Sequence, residues 1–256
     1  MLELILKEWS EYAKNMGSTV YEFKEGFASK IVDSPISCDF ANSIILNRPL
    51  RKDDFSDFTN LFGNKLFAVY VMSPKTLDRL SLFNLAKVGS IMVIKKSKWS
   101  HFGSGYSSEF VRKSNSLELY MLDHDELSSF ADVVFEAFGY DNELKEQSIK
   151  LYRNGIASKK VAFYGLKLTG KLVSCALFHW HQGYSMGGVE LVSTCKNFQR
   201  KGLSKILMTK LIDDNFNKGI SAIWLFALKN SIAEKFYKEL GFSKIGNIYV
   251  YRINDK

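Results

Sequence analysis

Residues 184–204 read YSMGGVELVSTCKNFQRKGLS, and this stretch decides the fold of the second half of the chain. Its apolar and β-branched residues up to Thr194 predict a strand. An amphipathic helix is predicted over 202–217, with these apolar residues on one face: Leu203, Ile206, Leu207 and Leu211. The first N–H groups of such a helix point outward, and the helix dipole adds partial positive charge there. Because Gly202 also allows a ligand close to the backbone, this turn is a candidate phosphate-binding site, or else an ordinary strand-to-helix turn.

The elements on both sides of this stretch alternate in type. Strands are predicted at 117–123, 160–168, 172–180, 184–194, 222–228 and 247–253, and helices at 124–138, 142–154, 202–217 and 231–240. The order β-α-α-β-β-β-α-β-α-β predicts an α/β fold with a mixed sheet.

A second notable segment, residues 230–242, reads NSIAEKFYKELGF. Ser231 and Glu234 have the spacing of a capping box, so a helix should begin there. Helical spacing predicts a core-facing side formed by Ile232, Phe236 and Leu240. Ala233 and Tyr237 share a neighbouring face, which suits a groove that binds a cofactor. In the alternative interpretation, Tyr237 lies at the rim of an ordinary amphipathic helix.

Together, the two segments resemble the GNAT superfamily of N-acetyltransferases. The family signature Q/R-x-x-G-x-G/A is met by Gln199 and Gly202, while Ser204 stands in place of the usual Gly or Ala. The later family pattern N-x-x-A-x-x-F/L-Y-x-x-x-G-F is met by Asn230, Ala233, Phe236, Tyr237, Gly241 and Phe242. The resemblance covers residues 116–256 and implies a GNAT fold there.

The resemblance implies acetyl-CoA as co-substrate and no metal. The pyrophosphate would lie on the backbone amides of 200–205, and the pantetheine along 190–195, pairing near Val192 and Thr194. A backbone N–H there would polarise the thioester carbonyl, and Tyr237 would protonate the departing thiolate. The implied cofactor-binding residues are Val192, Thr194, Gln199, Arg200, Lys201, Gly202, Leu203, Ser204, Lys205, Asn230, Ala233, Phe236 and Tyr237.

The general base is less sharply indicated. Glu190 lies on the strand where family members often carry a catalytic carboxylate, and strand alternation would put it on the same face as Val192 and Thr194. The alternative is a surface carboxylate. His179 and His181 share one face of the preceding strand. They are interpreted as a metal pair without a third ligand, as residues beside the amine, or as half-exposed strand residues.

The first half of the chain, residues 1–115, shows no counterpart of the phosphate-binding signature. Residues 66–96 nevertheless repeat the strand-helix-glycine-strand rhythm of 222–252, with a helix predicted at 76–88 and a strand at 91–96. The Ser- and Gly-rich stretch 99–116 is the candidate boundary between an N-terminal α/β domain and a second domain, 116–256. The first domain is either a degenerate GNAT-like repeat or an unrelated α/β domain.

The charge distribution and the cysteine content indicate which binding partners and which cellular compartment to expect. The net charge of the chain is +8, yet residues 118–146 hold nine acidic residues and one basic residue, Lys145. This local negative charge favours a cationic acceptor. The acidic residues are Glu118, Asp123, Asp125, Glu126, Asp132, Glu136, Asp141, Glu143 and Glu146. Alternatively, these acidic residues form a solvent-exposed helix face with no role in binding. No basic stripe with interleaved aromatics indicates nucleic acid, and no apolar run indicates a membrane span or leader. Three scattered cysteines without a CxxC fit a reducing cytoplasm.

The leading functional hypothesis is therefore an acyl-CoA-dependent N-acyltransferase that acetylates a primary amine of a small molecule or peptide. A non-catalytic acyl-CoA-binding regulator with the same fold is the alternative. A third hypothesis, an aminoacyl-tRNA-dependent transferase, is disfavoured because the coenzyme A motifs of the second half are intact.

Overall fold

The structure is a computed structural model that describes residues 1–23, 25–30, 42–51, 54–62, 67–72, 83–99, 117–181, 183 and 185–253. The chain forms two compact units. One comprises Met1–Val93 with Leu225–Lys256, and the other comprises Ile94–Trp224.

The described residues form strands and helices that alternate in the second half as predicted. The strands are β1 (Thr19–Phe23), β2 (Gly26–Lys30), β3 (Asn42–Leu46), β4 (Ala68–Val71), β5 (Phe83–Lys95), β6 (Leu117–Met121), β7 (Val161–Leu168), β8 (Lys171–Trp180), β9 (Met186–Thr194), β10 (Ala222–Leu228) and β11 (Ser243–Ile253). The helices are α1 (Leu2–Asn15), α2 (Asp54–Phe62), α3 (Leu127–Phe138), α4 (Lys145–Ser158), α5 (Leu203–Asn217) and α6 (Ile232–Glu239).

In the unit Met1–Val93 with Leu225–Lys256, the strand order is β1-β2-β3-β4-β11-β5-β10. Strands β3 and β4 are parallel, whereas β11 runs antiparallel to both β4 and β5. The core beneath α2 consists of Ala28, Ile44, Leu46, Leu50, Phe58, Phe62, Phe67, Val69 and Val71. The ring of Trp9 on α1 packs edge-on against Phe27 and Tyr70 and at a tilt against Phe226.

In the unit Ile94–Trp224, the strand order is β10-β9-β8-β7-β6, and neighbouring strands from β6 to β9 are antiparallel. Helices α3 and α4 cover one face of this sheet, where Phe130 and Tyr152 pack against Phe163 of β7. Helix α5 lies on the other face, where Asn215 donates a hydrogen bond to the hydroxyl of Tyr164. Adjacent strand residues point to opposite faces, so Phe163 and Tyr164 mark the two sides.

The predicted helix at 76–88 is wrong for its described part, because Phe83–Lys95 is one long strand. Gly89, which directly follows the predicted helix, instead lies inside the strand. A Cβ there would come within 2.7 Å of Ile248 Cγ2 and 3.3 Å of the Ala227 carbonyl oxygen. The glycine therefore lets neighbouring residues approach the strand closely. Residues 73–82 lie outside the described part of the chain.

The partners of β11 bear on the predicted domain boundary. Tyr249 of β11 pairs with Val71 of β4 on one side and with Val88 of β5 on the other. The last strand of the chain is thus hydrogen-bonded on both edges by strands of the first half. Residues 100–116 lie outside the described residues, and the division at 115/116 stays a prediction.

Candidate active site

Strand β9 contains a β-bulge at the point where the thioester is expected. Cys175 of β8 pairs with Ser193 and Leu177 pairs with Glu190, so two residues of β9, Leu191 and Val192, oppose a single residue of β8. Leu191 has the left-handed backbone angle φ 54°. The extra residue of a bulge is left unpaired in the ladder, and bulges are over-represented next to active sites. Non-glycine residues rarely adopt this backbone conformation, and those that do cluster at functional sites.

The bulge changes which side chains of β9 share a face. Glu190 pairs with Leu177, whereas Thr194 pairs with Ser174. Leu177 and Ser174 are three residues apart on a regular part of β8, so they point to opposite faces. The prediction that Glu190 and Thr194 share a face is therefore wrong. Glu190 lies on the side of α3 and α4, and Thr194 lies on the side of α5.

The turn before α5 has the backbone of an anion-binding site. Arg200 and Gly202 are both left-handed, with φ 63° and φ 81°. The first helical hydrogen bonds are donated by the N–H groups of Lys205 and Ile206 to the Gly202 carbonyl, so the N–H groups of the preceding residues come before the helical ladder. The first turn of α5 carries no acidic residue. These groups fit a phosphate, which the helix dipole also favours.

Two side chains of the signature are used inside the protein. Gln199 Nε2 donates a 3.1 Å hydrogen bond to the carbonyl of Thr194, and the Ser204 hydroxyl lies 2.8 Å from the Thr194 hydroxyl. Lys201 Nζ donates to the Asn197 carbonyl at 2.9 Å. The side chains of Gln199, Ser204 and Lys201 therefore shape the turn, and its backbone remains for a ligand.

Glu190 and His179 lie close together on one face of the sheet. His179 Nε2 is 3.8 Å from Glu190 Oε1, and the His179 ring is fully buried in an edge-on contact with Trp224. Gly188 makes room for this ring, because a Cβ there would lie 2.4 Å from its Nε2 atom. The Glu190 side chain is 19% exposed, and its Oε1 atom is buried with no hydrogen-bond partner among the described residues.

The exposure of these side chains bears on the alternative interpretations of the two histidines and of Glu190. Glu190 is mostly buried and so is not a surface carboxylate, and the half-exposed interpretation is wrong for His179. His181 is partly exposed, and its Nδ1 accepts a hydrogen bond from the N–H of Gly183. The described residues contain no group of three or more His, Cys, Asp or Glu side chains placed to hold a metal ion.

The second motif begins helix α6 largely as predicted. Asn230 is left-handed, with φ 61°, a conformation that asparagine tolerates better than most residues. Ser231 caps the helix by accepting a 3.1 Å hydrogen bond from the N–H of Glu234. The carboxylate of Glu234 accepts from the Asn230 N–H at 2.6 Å and from the Ser90 hydroxyl at 2.9 Å.

The predicted core-facing side of α6 is wrong at its first position. Ile232 is 73% exposed, whereas Glu234 and Tyr237 are buried. The helix turns Glu234 inward because its carboxylate satisfies polar groups there. Tyr237 packs its ring against Phe236 and Phe242, with centroids 5.1 and 5.8 Å apart, while Ala233 is exposed.

Comparison with known proteins agrees with this fold. Residues 122–242 match the model of the acetyltransferase (GNAT) family. They form a GNAT domain. No curated protein sequence matches the chain.

Solved structures with the GNAT fold cover nearly the whole chain. A GCN5-related N-acetyltransferase from Kribbella flavida is 10% identical, with a TM-score of 0.69 over 98% of this chain and 95% of its own. One from Sphaerobacter thermophilus is 11% identical, with a TM-score of 0.61 over 97% and 91%. A tandem GNAT protein from the clavulanic acid biosynthesis pathway is 8% identical, with a TM-score of 0.62 over 93% and 80%. At these identities, the likeness concerns the fold alone.

The predicted α/β fold with a GNAT domain is thus confirmed. The tandem GNAT structure covers 93% of this chain, so the likeness in fold extends over both halves. The two interpretations of residues 1–115, a degenerate GNAT-like repeat and an unrelated α/β domain, both stay predictions. Within the described residues, no helix is long and apolar enough to span a membrane. Sequence analysis missed the Glu190–His179 contact, although the Gly187-Gly188 pair in β9 was a signal that bulky side chains lie across it.

The buried carboxylate of Glu234 gives a pH-dependent prediction for the GNAT domain. The hydrogen bond from the Asn230 N–H, with that from Ser90, lowers the pKa of Glu234 to about 2 from its ordinary 4.5. A lowered folded-state pKa stabilises the fold above about pH 4.5, and this contribution is lost as the pH falls towards 2. Glu234→Gln should therefore destabilise the protein most above pH 4.5 and progressively less towards pH 2.

Denaturant unfolding of both forms between pH 2 and 7 measures this difference. Glu239→Gln, on the exposed side of the same helix, is the control and should show no such trend. A constant difference between Glu234→Gln and the unsubstituted protein across this range would show that the carboxylate charge contributes nothing.

Proposed function

We propose that this protein is an N-acetyltransferase that transfers the acetyl group of acetyl-CoA to a primary amine. The observation that carries the proposal is the left-handed turn at Arg200 and Gly202, which leads into a helix whose first turn holds no acid. The GNAT family to which residues 122–242 belong uses acetyl-CoA. A site with outward backbone N–H groups fits its pyrophosphate.

The residues proposed to hold acetyl-CoA are those implied by the resemblance. The backbone of Arg200 to Lys205 would hold the pyrophosphate, and the bulged part of β9 at Val192 would take the pantetheine. When bound, acetyl-CoA supplies the acetyl group as a thioester. The residues Asn230, Ala233 and Phe236 stay proposed contacts on the strength of the family pattern alone.

Residues of this chain would supply the proton transfers. Glu190 would accept a proton from the acceptor ammonium, directly or through water, so that the neutral amine attacks the thioester carbonyl carbon. The backbone N–H at Val192 would stabilise the negative charge that develops on the carbonyl oxygen. As the new C–N bond forms and the C–S bond breaks, Tyr237 would donate its proton to the departing thiolate. The proton that the amide nitrogen then loses would return to Tyr237 through water, which leaves free coenzyme A thiol and the N-acetylated product.

The acceptor is proposed to be a cationic amine, either a small molecule or a peptide. Among the described residues, two of the nine acids at 118–146 form ion pairs with lysine side chains, Glu126 with Lys167 and Asp132 with Lys145. The segment therefore keeps a net negative charge. A negative surface raises the local concentration of cations and the rate at which they associate.

A thiol-release assay with acetyl-CoA and a panel of neutral and cationic amines tests both parts of the proposal. The specificity constant should be larger for cationic amines and should fall between about 0.01 and 0.15 M salt, as the Debye length shortens from roughly 30 to 8 Å. Neutral amines provide the control and should show little salt dependence. Equal activity on both classes at all salt concentrations would contradict a cationic acceptor. Acetyl-CoA binding without thiol release for any amine would favour the regulator.

A further inference from the structure

Three hydroxyl groups form a continuous chain next to the turn proposed to bind phosphate, in the unit Ile94–Trp224. Ser174 Oγ of β8 donates a 2.8 Å hydrogen bond to the Ser193 carbonyl and lies 2.7 Å from Thr194 Oγ1. Thr194 Oγ1 in turn lies 2.8 Å from Ser204 Oγ at the start of α5. Ser174 and Thr194 are buried, so their end of the chain is shielded from water, whereas Ser204 is partly exposed.

The direction of the chain follows from the number of protons. A carbonyl oxygen only accepts, so the Ser174 proton is donated to Ser193. Thr194 must then donate to Ser174, and Ser204 must donate to Thr194. Hydrogen bonds in such a row polarise and strengthen one another. The single hydroxyl proton of Ser204 is therefore used within the protein and is not presented to an anion.

Thr194 receives a second hydrogen bond from the same turn. Gln199 Nε2 donates to the Thr194 carbonyl at 3.1 Å, so both ends of the Gln199–Ser204 segment are fastened to one residue at the end of β9. Glycine or alanine, the usual residues at the position of Ser204 in the resembled signature, could not make this hydroxyl contact. Ser204 thus adds a link between the turn and the strand.

We infer that Ser204, Thr194 and Ser174 are positioning residues that hold the first turn of α5 in place for the pyrophosphate of acetyl-CoA. This inference rests on the proposed function. The hydroxyl chain fixes the helix start against the end of β9, and the backbone N–H groups of the turn make the contact with the ligand. Losing one link lets the turn move and weakens binding without removing a ligand contact.

Calorimetric titration of the full chain with acetyl-CoA tests this inference. Ser204→Ala and Ser174→Ala should each raise the dissociation constant about 3- to 10-fold, the equivalent of one hydrogen bond. The double variant should bind no more weakly than the weaker single variant, because both changes interrupt the same chain. Ser204→Thr keeps the hydroxyl and should restore the affinity. Thr209→Ala removes a hydroxyl elsewhere on α5 and serves as the matched control.

Several outcomes would overturn the inference. They are unchanged affinity in Ser204→Ala, failure of Ser204→Thr to restore it, an equal loss in Thr209→Ala, or losses that multiply in the double variant. If Ser174→Ala does not fold, the comparison of Ser204→Ala, Ser204→Thr and the Thr209→Ala control tests the inference. Ser204 is partly exposed at a helix start, so its substitutions should leave the fold intact. If the unsubstituted protein does not bind acetyl-CoA, the proposed function and this inference both fail. If it binds and the variants match it, the inference alone fails.

Discussion

Gly202→Glu is expected to abolish the stabilisation of the folded protein by acetyl-CoA. The new carboxylate would stand at the N-cap of α5, beside the N–H groups proposed to hold the pyrophosphate, and would repel it. A ligand that binds only the native state at 100 times its dissociation constant adds about 2.7 kcal/mol to the free energy of unfolding. Thermal unfolding with and without acetyl-CoA should therefore show a raised melting temperature in the unsubstituted protein and no change in the variant.

The matched control for this prediction is Gly170→Glu in the turn between β7 and β8. Gly170 is exposed and left-handed, with φ 79°, as Gly202 is with φ 81°. Both variants lose a left-handed glycine and gain a carboxylate, so both should be less stable without ligand. Only Gly202→Glu should lose the response to acetyl-CoA. A full response in Gly202→Glu would mean that the pyrophosphate does not bind at this turn.

Tyr237→Phe is expected to lower turnover by about 100-fold while the dissociation constant for acetyl-CoA changes only a few-fold. A positioned general acid contributes typically ~10²–10⁴-fold, and the low end is expected because a thiolate, with a thiol pKa of roughly 8.5, is a tolerable leaving group. The substitution keeps the ring contacts with Phe236 and Phe242 and removes only the hydroxyl. Steady-state kinetics and calorimetry measure the two quantities separately.

Tyr251→Phe on β11 is the control for loss of a partly buried tyrosine hydroxyl in the same unit, and its turnover should not change. Unchanged turnover with weakened binding in Tyr237→Phe would identify Tyr237 as a packing residue. If both the turnover and the dissociation constant are unchanged in Tyr237→Phe, helix α6 does not contribute to the cofactor site.

The strands and helices of the second half could be predicted because their signals are local. The turn at Gly202 and the helix start at Ser231 depend on a few adjacent residues, and both lie where the sequence indicates. The face of Glu190 could not be predicted in this way. Its orientation depends on a bulge that is defined only by the register of β9 against β8.

Two other differences also have non-local causes. Ile232 has the spacing of a core residue, but Glu234 is buried in its place. Its carboxylate accepts a local hydrogen bond from the Asn230 N–H and a second one from Ser90, which is far away in the sequence and could not be predicted from the helix pattern. The apolar residues before Gly89 fit a helix or a strand equally well. Pairing with β11 selects the strand, and residues 243–253 are more than a hundred positions away in the sequence.

The central claim is that the chain binds acetyl-CoA at the turn between β9 and α5 and uses it for acetyl transfer. Calorimetric titration of the full unsubstituted chain with acetyl-CoA tests the binding on which everything else depends. The account predicts saturable binding to one site per chain, which is lost in Gly202→Glu and retained in Gly170→Glu. Absence of measurable binding at millimolar acetyl-CoA, or the same binding in Gly202→Glu as in the unsubstituted chain, would contradict it.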